Sequence, residues 1–188
     1  MPTPTDDFWL FAYGSLMWDA DFPHAETRPA RLYGYHRALC LYSFDYRGTR
    51  EVPGLVLGLD RGGSCRGLGF RIRGRDRDAV MAHLHERETS EGEYHLRWLK
   101  MTVGAETVTG AAFVVNHAND YYAGPRPPDE AARMVAQGHG RRGACVDYLK
   151  NTVAHLREMG IRDQGLERVL REVGQLLHQR EPVLDRKP

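Results

Sequence analysis

Apolar and aromatic residues gather in short runs over the first two-thirds of the chain, at 8–13, 30–44, 55–60, 65–72, 94–103 and 107–116. Runs of this length, bounded by Gly, Pro and Asp, predict about six strands. Pro53-Gly54 and Arg61-Gly62-Gly63 read as turns between strands, and Gly104-Ala105 as the turn of a hairpin joining the last two. A mostly antiparallel sheet or small β-barrel is the economical arrangement for such short, turn-linked strands.

The period then changes to helical in two places. Residues 76–88 carry Val80, Leu84 and Glu88 at i, i+4 spacing, with Met81 seven residues before Glu88, and Asp76 and Asp78 at the start, where the helix dipole favours negative charge. An apolar stripe that ends in a carboxylate predicts an inward-facing Glu88. Glu86 lies roughly 200° around the helix from Leu84 and faces solvent. Glu91 and Glu93 follow in a Gly-containing loop, so Glu88 is the one of the four expected to be buried.

After Asn116, Pro125, Pro127 and Pro128 mark an extended surface loop, and three helices follow. The first starts at Asp129-Glu130 and ends at Gly138. The second covers 144–159, with Val146, Leu149, Val153 and Leu156 as its stripe and Gly160 at C′. The third starts at Asp163 and repeats Leu166, Val169, Leu170, Val173, Leu176 and Leu177 at helical spacing. The expected fold class is α+β: a small, mostly antiparallel β-barrel-like sheet with surrounding helices.

The length of 188 residues fits a single domain, 1–188, whose helical C-terminal part begins at about 129. A net charge of +1, from 26 Lys and Arg against 25 Asp and Glu, gives no basic footprint for nucleic acid and points to a small-molecule partner. Residues 1–7 have no basic n-region, and nowhere do eighteen apolar residues run together, so neither a signal peptide nor a membrane span is expected. Cys40, Cys65 and Cys145 are odd in number and widely spaced, which suits a reducing cytoplasm and no disulfide framework. His83 and His85 are two apart on a helix and face different ways, so no zinc pair is written there and no metal is expected. The three cysteines read as structural.

The run at 8–12 empties into Tyr13-Gly14-Ser15-Leu16. Gly14 can take positive φ, which would bend the backbone and turn its N–H groups outward as an anion-binding cluster. Arg87-Glu88 follows on the helix. In order along the chain come Gly34-Tyr35-His36-Arg37, Ser43, Tyr46-Arg47-Gly48-Thr49, Pro53-Gly54-Leu55-Val56-Leu57-Gly58-Leu59, Cys65-Arg66-Gly67-Leu68-Gly69-Phe70-Arg71, Gly92 and Tyr94. Tyr122-Ala123-Gly124, Gly140-Arg141-Arg142-Gly143, Tyr148-Leu149, Gly160 and Asp163 continue the series. From about Trp9 to Leu170 the chain resembles the glutathione-specific γ-glutamylcyclotransferases, the ChaC-like family.

The resemblance implies the γ-glutamylcyclotransferase-like fold and a lyase-type cyclising cleavage of glutathione to 5-oxoproline and cysteinylglycine, without cofactor. It implies Glu88 as catalytic acid and base, a role its helical phase supports independently. It also implies substrate-binding positions: the turn Tyr13, Gly14, Ser15 and Leu16 for the α-carboxylate or the developing oxyanion, Arg47 for the far carboxylate, and Tyr94 and Tyr148 as hydroxyl donors. Arg142 stands where the family usually has serine, Cys145 where it has asparagine, Tyr46 where histidine is common and Gly69 where alanine is common; the first two lie beside Tyr148 and so bear on leaving-group specificity. Two alternatives stand beside this reading: a cyclotransferase for another γ-glutamyl amino acid or amine, and a non-catalytic regulatory module linked to cation transport. The oligomeric state is not written in the sequence.

Overall fold

The hydrophobic run at the N-terminus forms β1 (Phe8–Ala12), where Phe8, Leu10, Phe11 and Ala12 are all buried. It is enclosed because it is paired on both edges. β3 (Gly54–Ile72) runs antiparallel to it, from Phe8 opposite Ile72 to Ala12 opposite Leu68, and β5 (Glu106–Val115) runs parallel through Trp9–Gly110 and Leu10–Ala111. β2 (Glu26–Ser43) and β4 (Tyr94–Val103) complete the ring, and among the described residues the order β1-β3-β2-β4-β5 closes a barrel. Leu32, Leu57, Leu59, Ile72, Met101, Val103 and Phe113 are buried with β1. The coordinates are a computed structural model that describes residues 6–89 and 91–180.

The β4–β5 hairpin follows the sequence pattern closely, from Tyr94–Val115 to Val103–Glu106, turning at Gly104 with φ 59°. One expected turn is not a turn. Arg61-Gly62-Gly63 lies inside β3, so the runs at 55–60 and 65–72 are one strand of 19 residues, and the six expected strands become five in the barrel. Positive φ at Gly62 and Gly63 bends the strand without ending its pairing, as a bulge does.

Two compact units make up the chain, one of Met1–Leu41 and Leu57–Gly124, the other of Tyr42–Val56 and Pro125–Pro188. The first holds the barrel and α1 (Arg77–Thr89), which buries Val80 and Leu84 as its stripe requires. Its last segment, 116–124, returns to the strands. The Tyr122 hydroxyl donates to Asp60 Oδ2 (3.1 Å), His117 Nε2 lies 2.6 Å from Asp60 Oδ1, and the Ala123 N–H donates to the Cys40 carbonyl.

The second unit contains α2 (Pro128–Gln137), the two-residue strands β6 (His139–Gly140) and β7 (Gly143–Ala144), α3 (Cys145–Glu158) and α4 (Gln164–Arg180). α2, α3 and α4 pack on one another through Ala132, Val135, Leu149, Val153, Leu156, Leu166, Val169 and Val173. α3 ends as Gly160 predicts: φ is 67°, and the Gly160 and Ile161 N–H groups donate to the Arg157 and Leu156 carbonyls. Asp163 caps α4 through Oδ1 to the Leu166 N–H. The β6–β7 hairpin is too short to show in a hydrophobic pattern.

The β1–β3 pairing sets a sharp test. A Cβ at Gly67 would sit 2.1 Å from the Ala12 carbonyl oxygen, a backbone atom that cannot step aside without moving the end of β1. Gly67→Ala is expected to lower stability by about 1–3 kcal/mol, read by urea unfolding. Wild-type stability in that variant would mean that the strands do not approach as described.

Candidate active site

β1 delivers its C-terminal end to the Tyr13–Leu16 turn, and two side chains from elsewhere in the same unit hold that turn. Arg37, on β2 and buried, donates from Nε to the Tyr13 carbonyl (2.5 Å) and from Nη2 to the Arg66 carbonyl (2.7 Å). Leu16 and Met17 are buried and anchor the segment. Gly14 overturns one expectation: it lies at φ −130°, ψ −138°, so its φ is not positive. The bend is made instead by a single 3-10 turn, Ser15–Met17, in which the Met17 N–H donates to the Gly14 carbonyl and those of Trp18 and Asp19 to the Ser15 carbonyl. The opening N–H groups of that turn, on Ser15 and Leu16, precede the ones closed internally, as at any helix start. A Cβ at Gly14 would meet only Leu57 Cδ1, at 3.8 Å.

Glu88 occupies the last turn of α1, inward as the stripe predicts, with its side chain 16 % exposed. Burial pushes its carboxyl up from 4.5 to about 7; the neighbouring Arg87 opposes the shift, while Glu93 and Asp21 add to it. Glu86 and Glu91 are exposed. Glu93 departs from expectation: it is half-buried, and burial raises its carboxyl too. Its loop is tied down by Asn116, which donates from its N–H to the Glu93 carbonyl and from Nδ2 to the Gly92 carbonyl.

Arg87 connects Glu88 to the turn. Its Nε lies 3.3 Å from Glu88 Oε1 and its Nη2 donates to Ser15 Oγ at 3.3 Å. Tyr94 is half-buried and its hydroxyl donates to the Leu57 carbonyl (2.7 Å), so that proton is committed within the barrel. Thus Tyr13, Gly14, Ser15, Leu16, Glu88 and Tyr94 all belong to the first unit.

Arg47 and Tyr148 belong to the second unit and meet there, the guanidinium carbon 5.6 Å from the ring centroid. Arg47 Nη1 also donates to the carbonyls of Arg142 and Ala144, so this side chain is fixed rather than solvated. Its loop is packed backbone on backbone: a Cβ at Gly54 would lie 2.2 Å from the Arg47 carbonyl oxygen, and one at Gly140 would lie 2.3 Å from that of Asp45. Two departures from the family pattern form one contact, since the Arg142 guanidinium lies 4.6 Å from the Tyr46 ring centroid. A third, Cys145, donates from Sγ to the Leu55 carbonyl at 3.1 Å.

Arg37 and the Arg87 contacts were missed as site features, because neither follows a periodic pattern and both depend on partners far along the chain. The run Gly34-Tyr35-His36-Arg37, one of those that carry the family resemblance, is the signal the sequence offers for the first. The cysteines are all buried, and burial pushes the Cys40 thiol up to about 12 and that of Cys145 to about 11, which makes both poor nucleophiles at neutral pH.

A carboxyl raised from 4.5 to about 7 binds its proton more tightly in the folded than in the unfolded chain. Its contribution to stability is therefore lost as pH rises from about 4.5 to 7, by on the order of 3 kcal/mol. Glu88→Gln is expected to match wild-type stability near pH 4 and to exceed it at pH 8, in thermal melts at both pH values. A pH-independent difference would show that Glu88 is not held as described. Gly14→Ala, with no positive φ and only Leu57 Cδ1 near the added Cβ, is expected to melt within a degree or two of wild type, on the scale of a surface substitution.

A family model described as ChaC-like protein matches residues 8–176. The chain is 30% identical over 175 residues to the glutathione-specific gamma-glutamylcyclotransferase of Escherichia coli (strain K12), covering 93% of this chain and 76% of that protein. It is 29% identical to gamma-glutamylcyclotransferase 2-3 of Arabidopsis thaliana, over 93% of this chain and 92% of that one. The crystal structure of a glutathione-specific γ-glutamyl cyclotransferase from yeast, at 20% identity, matches with a TM-score of 0.84 over 94% of this chain and 99% of that chain, which shows a shared fold. With its family model spanning the barrel, α1 and most of the C-terminal helices, the chain belongs to the ChaC-like family.

Proposed function

We propose that this protein is a γ-glutamylcyclotransferase that converts glutathione to 5-oxoproline and cysteinylglycine, with Glu88 as the proton carrier. The observation that carries the reading is a carboxyl poised near neutrality, joined through one arginine to the Tyr13–Leu16 turn. The names of the relatives in bacteria and plants support the substrate class.

A γ-glutamyl amide holds its own nucleophile. The Glu88 carboxylate takes a proton from the substrate's α-ammonium, and the freed amine attacks the γ-carbonyl carbon, forming the lactam C–N bond. The tetrahedral oxyanion then collapses, the original amide C–N bond breaks, and the leaving nitrogen is protonated. Two protons pass in all from the attacking to the leaving nitrogen, and Glu88 ends as the carboxylate it began as. No water or protein nucleophile enters the balance. Holding amine and carbonyl together can be worth on the order of 10⁵ M in effective concentration, and proton transfer by Glu88 roughly 10²–10⁴-fold.

The N–H groups of Ser15 and Leu16 are assigned to the substrate's α-carboxylate or to the oxyanion, where one donor is worth about 2.7–4 kcal/mol. Arg47, whose guanidinium carbon lies 5.6 Å from the Tyr148 ring centroid, is assigned to carboxylate binding on its chemistry. Tyr94 is assigned a supporting place, because its proton is already given to Leu57. Among the described residues no helix is long and apolar enough to cross a membrane. Three buried cysteines that form no disulfide suit the cytoplasm, where we place the reaction.

Purified protein with glutathione is expected to yield 5-oxoproline and cysteinylglycine by mass spectrometry, at a rate that climbs between about pH 6 and 8 as Glu88 loses its proton. Glu88→Gln should lower kcat by two or more orders of magnitude, about the full general acid–base contribution, and Glu86→Gln should leave it near wild type. Turnover of other γ-glutamyl amino acids or amines in preference to glutathione would move the assignment to another leaving group, and absence of turnover on all of them would overturn it.

A further inference from the structure

Arg87 spreads one guanidinium over two parts of the chain. Besides Glu88 and Ser15 it meets the segment that follows the turn: Nη1 donates to Asp21 Oδ1 (2.9 Å) and to the Asp19 carbonyl (3.2 Å), and Nη2 to Asp19 Oδ2 (3.3 Å). His83, one helical turn earlier on α1, places Nε2 2.9 Å from the same Asp21 oxygen. We propose that Arg87 is a positioning residue for the cyclisation, a fork that fixes the Glu88 carboxylate relative to the Ser15 turn and is itself held off Glu88 by Asp19 and Asp21. The inference rests on Glu88 being the proton carrier.

An arginine beside a catalytic carboxylate ordinarily spoils it as a base. A bidentate guanidinium–carboxylate pair favours the ionised carboxylate strongly and weakens its affinity for the proton it must accept. Here the two Nη groups are directed to Ser15, Asp19 and Asp21, and Nε alone faces Glu88, at the long distance of 3.3 Å. The carboxyl stays high in its range despite the adjacent charge. The groups acting on it are Arg87, which lowers it, and Glu93 and Asp21, which raise it.

Stability is a poor explanation for this arrangement. Asp19 and Asp21 are 59% and 47% exposed, and ion pairs to such groups contribute roughly 0–1 kcal/mol each. Geometry is the better one. A planar fork can satisfy several acceptors at fixed angles, whereas a lysine ammonium in the same place supplies the charge without the fork.

The test is the pH dependence of kcat for glutathione cyclisation in wild type, Arg87→Gln, Arg87→Lys and Asp21→Asn, with Glu88→Gln as reference. Arg87→Gln is expected to move the acidic limb upward by about one pH unit, a shift typical of losing one adjacent charge, and to lower kcat about tenfold with a smaller change in KM. Asp21→Asn should move the limb the opposite way, because it removes a negative charge and releases the guanidinium toward Glu88. Arg87→Lys should recover the limb position but not kcat. A folded Arg87→Gln enzyme with the wild-type limb and kcat overturns the inference. Should that variant fail to fold, Asp21→Asn decides, and an unmoved or upward limb overturns it equally. An acidic limb and activity that persist in Glu88→Gln would instead remove the Glu88 reading, and this inference with it.

Discussion

The buried guanidinium of Arg37 is the constraint on which the rest of the site depends. A charge taken out of water must be met by polar partners or it destabilises the fold by several kcal/mol. Arg37 meets part of that demand with the carbonyls of Tyr13 and Arg66, which belong to the exit of β1 and to β3. The first carbonyl lies at the point where β1 stops and the Tyr13–Leu16 turn begins. One side chain on β2 thereby ties together three barrel strands at the place where the turn leaves them, and hydrogen bonds to a charged group are worth about 1.5–3 kcal/mol each. With the Tyr13 carbonyl fixed, the peptide that follows it can point only a narrow range of ways, and the aim of the Ser15 and Leu16 N–H groups follows from that.

The carboxylate opposite is tuned by a balance in which burial wins. Glu88 sits at the C-terminal end of α1, where the helix dipole also disfavours negative charge, by about 0.3–1 kcal/mol. Arg87 pulls the other way but is shared among Asp19, Asp21 and Ser15. The result is a glutamate that ionises near neutrality, where the proposed general base, which must later act as an acid, works best. A fully paired glutamate would ionise too easily to take up a proton, and one in dry isolation would stay protonated and leave the amine charged.

How far the sequence reveals this depends on the range of the interaction. The β4–β5 hairpin, the close of α3 at Gly160, the start of α4 at Asp163 and the inward phase of Glu88 are set by residues within a few positions of one another, and all were legible. Gly62 and Gly63 misled because two glycines signal a bend, and the same signal serves a turn or a bulge; pairing with β2, decided far away, keeps the strand going. Gly14 misled in the same manner, its conformation being set by the 3-10 turn after it and the Arg37 bond before it. The Arg87 fork joins positions 66 to 72 residues apart, and no local pattern could show it.

The thiols and the carboxylate illustrate one physical rule with opposite consequences. Burial raises both kinds of group. For Cys40 and Cys145 it moves the thiol away from neutrality, to about 12 and 11, and suppresses the reactive thiolate. For Glu88 it moves the carboxyl toward neutrality, and creates a proton acceptor that an exposed glutamate would not be. A reaction whose nucleophile arrives with the substrate needs the second and is indifferent to the first. In the proposed cyclisation the protein's own sulfur can therefore be packed away as small apolar volume, while a single carboxyl, sunk just deep enough and restrained by one shared arginine, carries the protons.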